Sequence, residues 1–379
     1  MRVLQTLDFQ KNCTGVFYRG KIVLNPDPSI YNDYNVNWKY SDKFFSDTTR
    51  TYIYVLLSNK HELSDFSSDP LAFLELQKQI GFHKKAAATA KIELDDACIF
   101  SVVPEHKLNK YFTLRQQALE SAFDSLSRQG DYNILHKAHE LVSVISRQNI
   151  LYNNQKKKIY YNIFGSATGR LTTRRGSLPI LNLKKEQRNL LTPQNDAFVE
   201  LDLNAAEVRM LMALSGKDQP EGDIHEHLQQ QIFGGWGRRS EFKERLFAWL
   251  YNPNSEDSVF DQYFSRETFR DFFTAEEEML ITPFGRHLQV EERKAQNYLL
   301  QSTTSDQVLE NAYEIQQMLQ GKKTKIAFTL HDSIVLDISQ EDAIMLKDIK
   351  KKFEHTRWGN FKSTCKIGRN FGDLREIKI

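Results

Sequence analysis

The sequence predicts an α+β protein in which strands pair as hairpins and long helices stand apart from them. The segment KIAFTLHDSIVLDI has two arms of alternating hydrophobic residues around a polar tip, which is typical of a β-hairpin. The segment GVFYRGKIVL predicts a second hairpin, with Arg19 and Gly20 at its turn. Two stretches of helical spacing, YFTLRQQALESAFDSLSRQ and YNILHKAHELVSVISRQNILYNN, are broken by Gly130 and Asp131 and predict an antiparallel helical hairpin.

Length and composition limit the classes of function. The chain has 379 residues, which is enough for two or three domains with hydrophobic cores. Its net charge is only +2, so overall charge does not hold it to nucleic acid. No apolar run is long enough to cross a bilayer and the N-terminus lacks a signal-peptide core, so we expect an intracellular protein without a membrane partner. The three cysteines are widely spaced and indicate neither a disulfide framework nor a zinc site.

Residues 1–108 predict a small mixed α/β region of unknown role. Besides the hairpin at GVFYRGKIVL, it contains strand patterns at 51–58 and 97–103, with helical spacing between Pro70 and Ile80. The adjacent Asp95 and Asp96 would face opposite ways in a strand, and the region contains no catalytic cluster.

A basic, hydroxyl-rich stretch follows the helical hairpin. FGSATGRLTTRRGSLPILNL combines backbone amides and hydroxyls with guanidinium groups, which is the combination that phosphate contacts use. The whole basic cluster is Lys156, Lys157, Lys158, Arg170, Arg174, Arg175, Lys184, Lys185 and Arg188. A solvated surface explains the same charges.

The segment FVELDLNAAEVRMLMALSG predicts a strand that delivers Asp202 to the start of a helix. Period-2 alternation runs to Asp202 and helical spacing begins at Asn204. A carboxylate at such a boundary has its direction fixed by a rigid scaffold, although a helix N-cap is the commoner role for an isolated Asp.

Three later elements carry candidate partners. In the helix predicted near 237–251, charged and aromatic side chains recur every four residues and so share one face, which suits a triphosphate and its base: Arg239, Lys243, Phe247 and Tyr251. GDIHEHL places Asp223 and His225 at a helix start, where an anion could bind. Another helix carries Arg293, Asn297 and Gln301 four apart, and these side chains suit minor-groove edges or simply solvent.

The hairpin predicted at KIAFTLHDSIVLDI supplies a second carboxylate. His331, Asp332 and Ser333 occupy its predicted tip. If Asp202 and Asp332 meet, they can bind two Mg²⁺ ions, which stabilise the attacking and leaving oxygens of a phosphoryl displacement. Lys243 would then neutralise or protonate the leaving pyrophosphate, while Arg239 and His225 hold the phosphates.

From about Tyr160 onward the chain resembles the family A DNA polymerases, the group of bacterial DNA polymerase I and related phage replicases. The resemblance is carried, in the family's order, by SATGRLTT, DLNAAEVRMLMALSG, the helix from Arg239 to Tyr251, ERKAQNYLLQSTTSD, HDS and KIGRNFGDL. It implies a right-hand palm, fingers and thumb with an antiparallel palm sheet. The implied domains are a reduced helical thumb (109–165), palm (166–230 and 282–379) and shortened fingers (231–281).

The resemblance also implies residue roles. Asp202, Asp332 and the Leu203 carbonyl would bind two Mg²⁺, for which Mn²⁺ may substitute. Phe247 would pack against an incoming dNTP, and Glu207, hydrogen-bonded to Tyr251, would exclude a ribose 2′ hydroxyl. The residues expected to contact primer-template DNA are Arg170, Arg293, Asn297, Gln301 and His331. Further candidate partners are replisome proteins such as a helicase, a processivity factor and a separate exonuclease, and a phage-encoded protein would act in the host cytoplasm.

The chain also departs from the family pattern. Ser333 replaces the usual acidic residue and Asn252 the usual glycine. Because the N-terminal region is short and lacks paired acidic motifs, we expect no intrinsic 3′ to 5′ proofreading exonuclease. One alternative is a single-subunit RNA polymerase-like nucleotidyltransferase, which Glu207 opposes. The other is a catalytically silent replisome subunit that binds primer-template junctions, which Ser333 and Asn252 favour.

Overall fold

The structure is a computed structural model. It describes residues 3–9, 13–34, 36–40, 62–92, 102–126, 133–163, 165–174, 176–252, 255–264, 267–276 and 278–379. Several sequence predictions lie outside these residues: the strand at 51–58, the strand at 97–101, the pair Asp95 and Asp96, and the break at Gly130 and Asp131.

Nineteen strands occur in the part of the chain that the structure describes. They are β1 (Val3–Phe9), β2 (Cys13–Tyr18), β3 (Lys21–Leu24), β4 (Val36–Tyr40), β5 (Ile150–Tyr152), β6 (Gln155–Lys157), β7 (Tyr161–Asn162), β8 (Thr172–Thr173), β9 (Leu191–Thr192), β10 (Ala197–Leu203), β11 (Phe273–Thr274), β12 (Met279–Ile281), β13 (His287–Gln289), β14 (Lys325–Leu330), β15 (Ser333–Ile338), β16 (His355–Thr356), β17 (Gly359–Asn360), β18 (Ser363–Gly368) and β19 (Arg375–Ile377).

The described α-helices range from single turns to one of 27 residues. They are α1 (Pro70–Thr89), α2 (Glu105–Leu126), α3 (Ile134–Arg147), α4 (Lys185–Arg188), α5 (Ala206–Leu214), α6 (Ile224–Phe233), α7 (Arg239–Tyr251), α8 (Ser258–Phe264), α9 (Glu267–Arg270), α10 (Glu292–Met318) and α11 (Leu346–Glu354). Within the described residues, no helix combines the length and the apolar character needed to cross a membrane.

The chain divides into two compact units. The first comprises residues 1–139, 160–167 and 172–177, and the second comprises 140–159, 168–171 and 178–379. The mixture of helices with antiparallel sheets confirms the predicted α+β class. The roles of the predicted palm, fingers and thumb segments stay predictions.

A four-stranded sheet of order β3-β2-β1-β4 organises the first unit. Its β2–β3 hairpin turns at Arg19 and Gly20, which both have positive φ, so the predicted hairpin is confirmed. β1 pairs with β4 in parallel, so the sheet is mixed. The boundary predicted at residue 108 falls inside α2, where Tyr111 and Phe112 pack in one cluster with Phe17.

The second unit is built around a five-stranded antiparallel sheet of order β14-β15-β10-β18-β19. Helix α11 packs against β10 and β18 of this sheet. Helix α10 runs through the unit and has buried residues on most of its circumference. Because β10 lies between β15 and β18, it has hydrogen-bonding partners on both sides. The end of β10 is therefore held rigidly at the point where the candidate carboxylate sits.

Two local predictions are wrong. Ile150–Tyr152, predicted as part of the second long helix, is strand β5, since it pairs with β6 and β9. Ser339, followed three residues later by Asp342, predicts a capping box at the start of the next helix, but no such box forms. The Asp342 carboxylate instead accepts a hydrogen bond of 2.8 Å from the backbone N–H of Thr324, and a 3₁₀ turn precedes α11. A tertiary partner has replaced the local one.

Aromatic side chains join α6, α7 and α8. Phe242 of α7 contacts Phe233 and Phe260 at ring-centroid distances of 5.9 and 5.8 Å. Trp249 contacts Phe260 and Phe264, both at 5.6 Å. The polar, acidic composition of residues 252–281 predicts only a connection, but this stretch contains a helix, α8, that packs against the buried face of α7.

Candidate active site

Paired strands bring the two predicted carboxylates together. Asp202 lies one residue before the end of β10 and is in register with Ser333, the first residue of β15. Asp332 directly precedes Ser333, and its backbone carbonyl accepts a hydrogen bond of 3.2 Å from the N–H of Leu203. The juxtaposition predicted from two distant sequence segments is therefore present in the fold.

The Asp202 carboxylate lies in a buried position where negative charges outweigh the positive charge of Lys366. Burial raises the pKa of Asp202 to about 7, with the negative charges of Asp332 and Glu200 adding to the effect and Lys366 opposing it. Among the described residues, no group of three or more His, Cys, Asp or Glu side chains is arranged to hold a metal ion. Two carboxylates suit Mg²⁺, which commonly takes one or two carboxylates and completes its shell with water and substrate phosphate oxygens. The donor set therefore fits the implied ion.

Glu207 connects three elements beside this pair. It lies in the first turn of α5, which begins after Ala205 in the left-handed conformation with φ of 49°. Its Oε2 accepts a hydrogen bond of 2.5 Å from the hydroxyl of Tyr251, the last residue of α7, and its Oε1 pairs with the Arg170 guanidinium. Burial and the hydrogen bond to Glu207 both raise the pKa of Tyr251, so its hydroxyl stays a donor at neutral pH.

On the predicted face of α7, three of the four side chains, Lys243, Phe247 and Tyr251, contact one another in order, forming a row. The Lys243 Nζ lies 5.4 Å from the centroid of the Phe247 ring, and that ring stacks on Tyr251 at 5.5 Å. At the other end, Arg239 donates two hydrogen bonds to Asp223, of 3.3 and 2.5 Å. The row thus grades from cationic to aromatic over the length of the helix.

His225 lies beneath this row. It is 4% exposed, its ring meets Phe247 edge-on at 5.9 Å, and its Nδ1 has no hydrogen-bond partner among the described residues. Burial lowers the pKa of His225 to about 4, with Arg239 and Lys243 adding to the effect and Asp223 opposing it. The imidazole is therefore neutral at pH 7, with a buried ring nitrogen that has no hydrogen-bond partner among the described residues.

The residues predicted to contact DNA occupy two places. Asn297 and Gln301 of α10 are joined by a hydrogen bond of 2.8 Å, whereas Arg293 is exposed and pairs with Glu291. His331 sits in the hairpin turn with φ of 45°, and desolvation and the Arg170 charge lower its pKa.

A cavity of about 730 Å³ lies between the end of α7 and the start of α10. Its lining includes Tyr251 and Asn252 from the α7 side, Arg270, and Arg293 and Asn297 from α10. The cavity therefore brings two of the predicted DNA contacts to the same surface as the residue that binds Glu207.

Sequence patterns missed a buried ion pair under this site. Arg286, 2% exposed, donates a 2.9 Å hydrogen bond from Nε to Oδ2 of the fully buried Asp306, and its Nη2 pairs with Oδ1. These residues are 20 apart in loop and helix, so no local spacing announces the pair. Lys366 and Glu200, which pair at 3.3 Å beside Asp202, were also missed, although their cross-strand register follows from period-2 alternation.

Comparisons with known proteins find partial similarities. No protein-family model matches the chain. A DNA polymerase of Bacillus phage SP01 is 34% identical over 104 residues, a match that covers 23% of this chain and only 11% of that relative. Among solved structures, the POL domain of Pol1 from M. smegmatis, in complex with DNA primer-template and dNTP, matches with a TM-score of 0.48 and 14% identity, over 85% of this chain and 67% of that chain. Over part of its length the chain is therefore similar in sequence to a phage DNA polymerase.

Proposed function

We propose that the protein is a DNA-directed DNA polymerase that extends a primer 3′ hydroxyl with dNTPs on a template strand. The observation that carries the proposal is the meeting of Asp202 and Asp332 on paired strands, next to the contact between Glu207 and Tyr251. In this proposal residues 166–230 and 282–379 act as palm, 231–281 as short fingers and 109–165 as a reduced thumb. The relatives' primer-template DNA and dNTP are the proposed ligands of this chain.

The cation site consists of Asp202 and Asp332 with the Leu203 carbonyl. When bound there, two Mg²⁺ ions would lower the barrier by stabilising negative charge on the attacking and leaving oxygens. The chain's own contribution is to hold both carboxylates at fixed strand ends, so that little reorganisation is needed when the ions bind.

Nucleotide binding follows the row on α7. Arg239 and Lys243 attract the triphosphate, and His225, which packs beneath Phe247, is the third proposed phosphate contact. Phe247 packs against the nucleotide. The Glu207 carboxylate, fixed by Tyr251, occupies the space that a 2′ hydroxyl would need.

The proposed DNA contacts come from the segment before β8, from α10 and from the turn between β14 and β15. Arg170, Arg293, Asn297, Gln301 and His331 offer guanidinium, amide and imidazole groups to the primer-template. Because Arg293 and Asn297 also line the 730 Å³ cavity, nucleic acid bound there would lie close to the last turn of α7. A helicase, a processivity factor and a separate exonuclease are the replisome partners that we propose.

The test of this function is extension of a labelled primer on a defined template with Mg²⁺ or Mn²⁺. We expect extension with dNTPs and at least about tenfold lower kcat/KM with rNTPs, since a desolvated 2′ hydroxyl against Glu207 costs about 1.4 kcal/mol or more. Equal use of both nucleotides would favour an RNA polymerase-like enzyme. No extension at all would favour a silent binding subunit, and shortening of the primer without nucleotides would refute the absence of proofreading.

Replacing Lys243 by Ala is expected to lower kcat about a hundredfold and to raise KM for dNTP, because one side chain both holds phosphate and protonates the leaving group. Arg at this position keeps the charge but gives up a proton poorly, so Lys243→Arg should restore KM and leave kcat low. Steady-state single-nucleotide incorporation separates the two parameters. An unchanged kcat in Lys243→Ala would remove the acid role.

A further inference from the structure

The Glu207 carboxylate is held at both oxygens. Tyr251 donates to Oε2 at 2.5 Å and Arg170 pairs with Oε1, while the Glu207 side chain is only 13% exposed. A carboxylate with one oxygen engaged can still rotate about its last bond, whereas two donors on different elements fix its plane. The position of the Glu207 oxygens therefore depends on Arg170 as much as on Tyr251.

The backbone that carries Arg170 is fixed in turn by the buried ion pair of Arg286 and Asp306. Gly169 has φ of +79°, and a Cβ added there would lie 2.2 Å from Nη2 of Arg286. The loop thus rests directly on a guanidinium that is itself clamped to α10 through Asp306. Little freedom is left at the base of the Arg170 side chain.

We propose that Arg170 is a positioning residue for sugar selection, acting through Glu207. This role rests on the proposed function, in which Glu207 excludes a ribose 2′ hydroxyl. Without the guanidinium, a mostly buried carboxylate loses its cationic partner and turns away from the nucleotide to regain solvent. Lys would not replace Arg fully, because the guanidinium is a rigid planar group whereas the ammonium is a point charge on a flexible stem.

A simple DNA contact predicts a different outcome. An arginine that only held primer or template would change dNTP and rNTP incorporation by the same factor, since both use the same DNA. An arginine that positions Glu207 changes the ratio between them. The measured quantity is therefore kcat/KM for dNTP divided by kcat/KM for the matching rNTP, on one primer-template.

We expect Arg170→Ala to lower this ratio about tenfold and Arg170→Lys to lower it by less. In a Glu207→Ala background, Arg170→Ala should leave the ratio unchanged, because the residue through which it acts is gone. The matched control is Arg245→Ala, which removes an arginine that makes two hydrogen bonds to Asp257, of 2.5 and 3.0 Å, on the same helix as Tyr251. Its ratio should equal that of the unmodified protein.

Two kinetic results would overturn the role of Arg170. One is an equal loss for both nucleotides in Arg170→Ala, and the other is an undiminished ratio effect in the Glu207→Ala background. Thermal unfolding of the two single variants and the double variant reports on the contact without any activity, and Tm losses that simply add would also refute it. A protein that extends no primer would refute the polymerase function itself, and the sugar role with it.

Discussion

Replacing Asp202 or Asp332 by Asn is expected to lower the rate of primer extension at least about a thousandfold, because each change removes a charged cation ligand worth about 4 kcal/mol to the transition state. The two carboxylates come from strands that are paired in register, so neither can take over the position of the other. Rapid-quench single-turnover extension measures the loss directly, free of product release.

Binding of primer-template by these two variants should survive, since the DNA contacts lie elsewhere. Fluorescence anisotropy with labelled DNA checks this. Asp218→Asn, the same chemical change at an exposed position, is the matched control and should extend DNA normally. Normal extension by Asp332→Asn would show that the two carboxylates do not work as a pair, and retained binding with no activity in any form of the protein would support the silent-subunit alternative.

Asp202→Asn is also expected to stabilise the metal-free protein, by about 4 kcal/mol at pH 8, because the pKa of Asp202 is about 7 in the folded chain and about 3.9 when unfolded. The folded protein binds this proton more tightly than the unfolded chain does. The cost of ionising Asp202 is therefore absent below about pH 4, grows as pH rises and is complete above about pH 7.

Urea unfolding of the original protein and Asp202→Asn, in EDTA at several pH values between 4 and 8, measures this difference. The gain should grow with pH and then level off, and Asp218→Asn should show no such trend. Adding Mg²⁺ at pH 8 should stabilise the original protein more than Asp202→Asn, since the ion binds only where the carboxylate is ionised. A gain that is constant with pH would contradict the burial of Asp202 beside Asp332.

Local periodicity was enough to predict the elements that carry the candidate site. The hairpin around Asp332 and the helix from Arg239 to Tyr251 both formed as expected, because alternation and four-residue spacing are properties of neighbouring residues. Placing Asp202 beside the hairpin needed one further inference, that the two carboxylates at strand ends bind the same cations.

Contacts between distant residues could not be predicted in this way. Arg170 and Glu207 are 37 residues apart, and nothing near Arg170 distinguishes a guanidinium that binds a carboxylate from one that binds phosphate. The local pattern at Ser339 predicted the wrong partner. The carboxylate of Asp342, three residues later, accepts a hydrogen bond from the N–H of Thr324 and does not cap the helix. Such partners are decided by which surfaces the fold brings together, and that information is spread over the whole chain.

The aromatic cluster on the buried face of α7 determines how this helix can move. Phe242 and Trp249 tie it to α6 and α8, and Trp249 adds a 2.9 Å hydrogen bond to Asp261. At the end of α7, the hydroxyl of Tyr251 also donates a hydrogen bond to Glu207 of α5. If α7 tilts about its contact at Tyr251, α6 and α8 would move with it. The largest displacement would then be at Arg239, about 18 Å from Tyr251 along the helix axis.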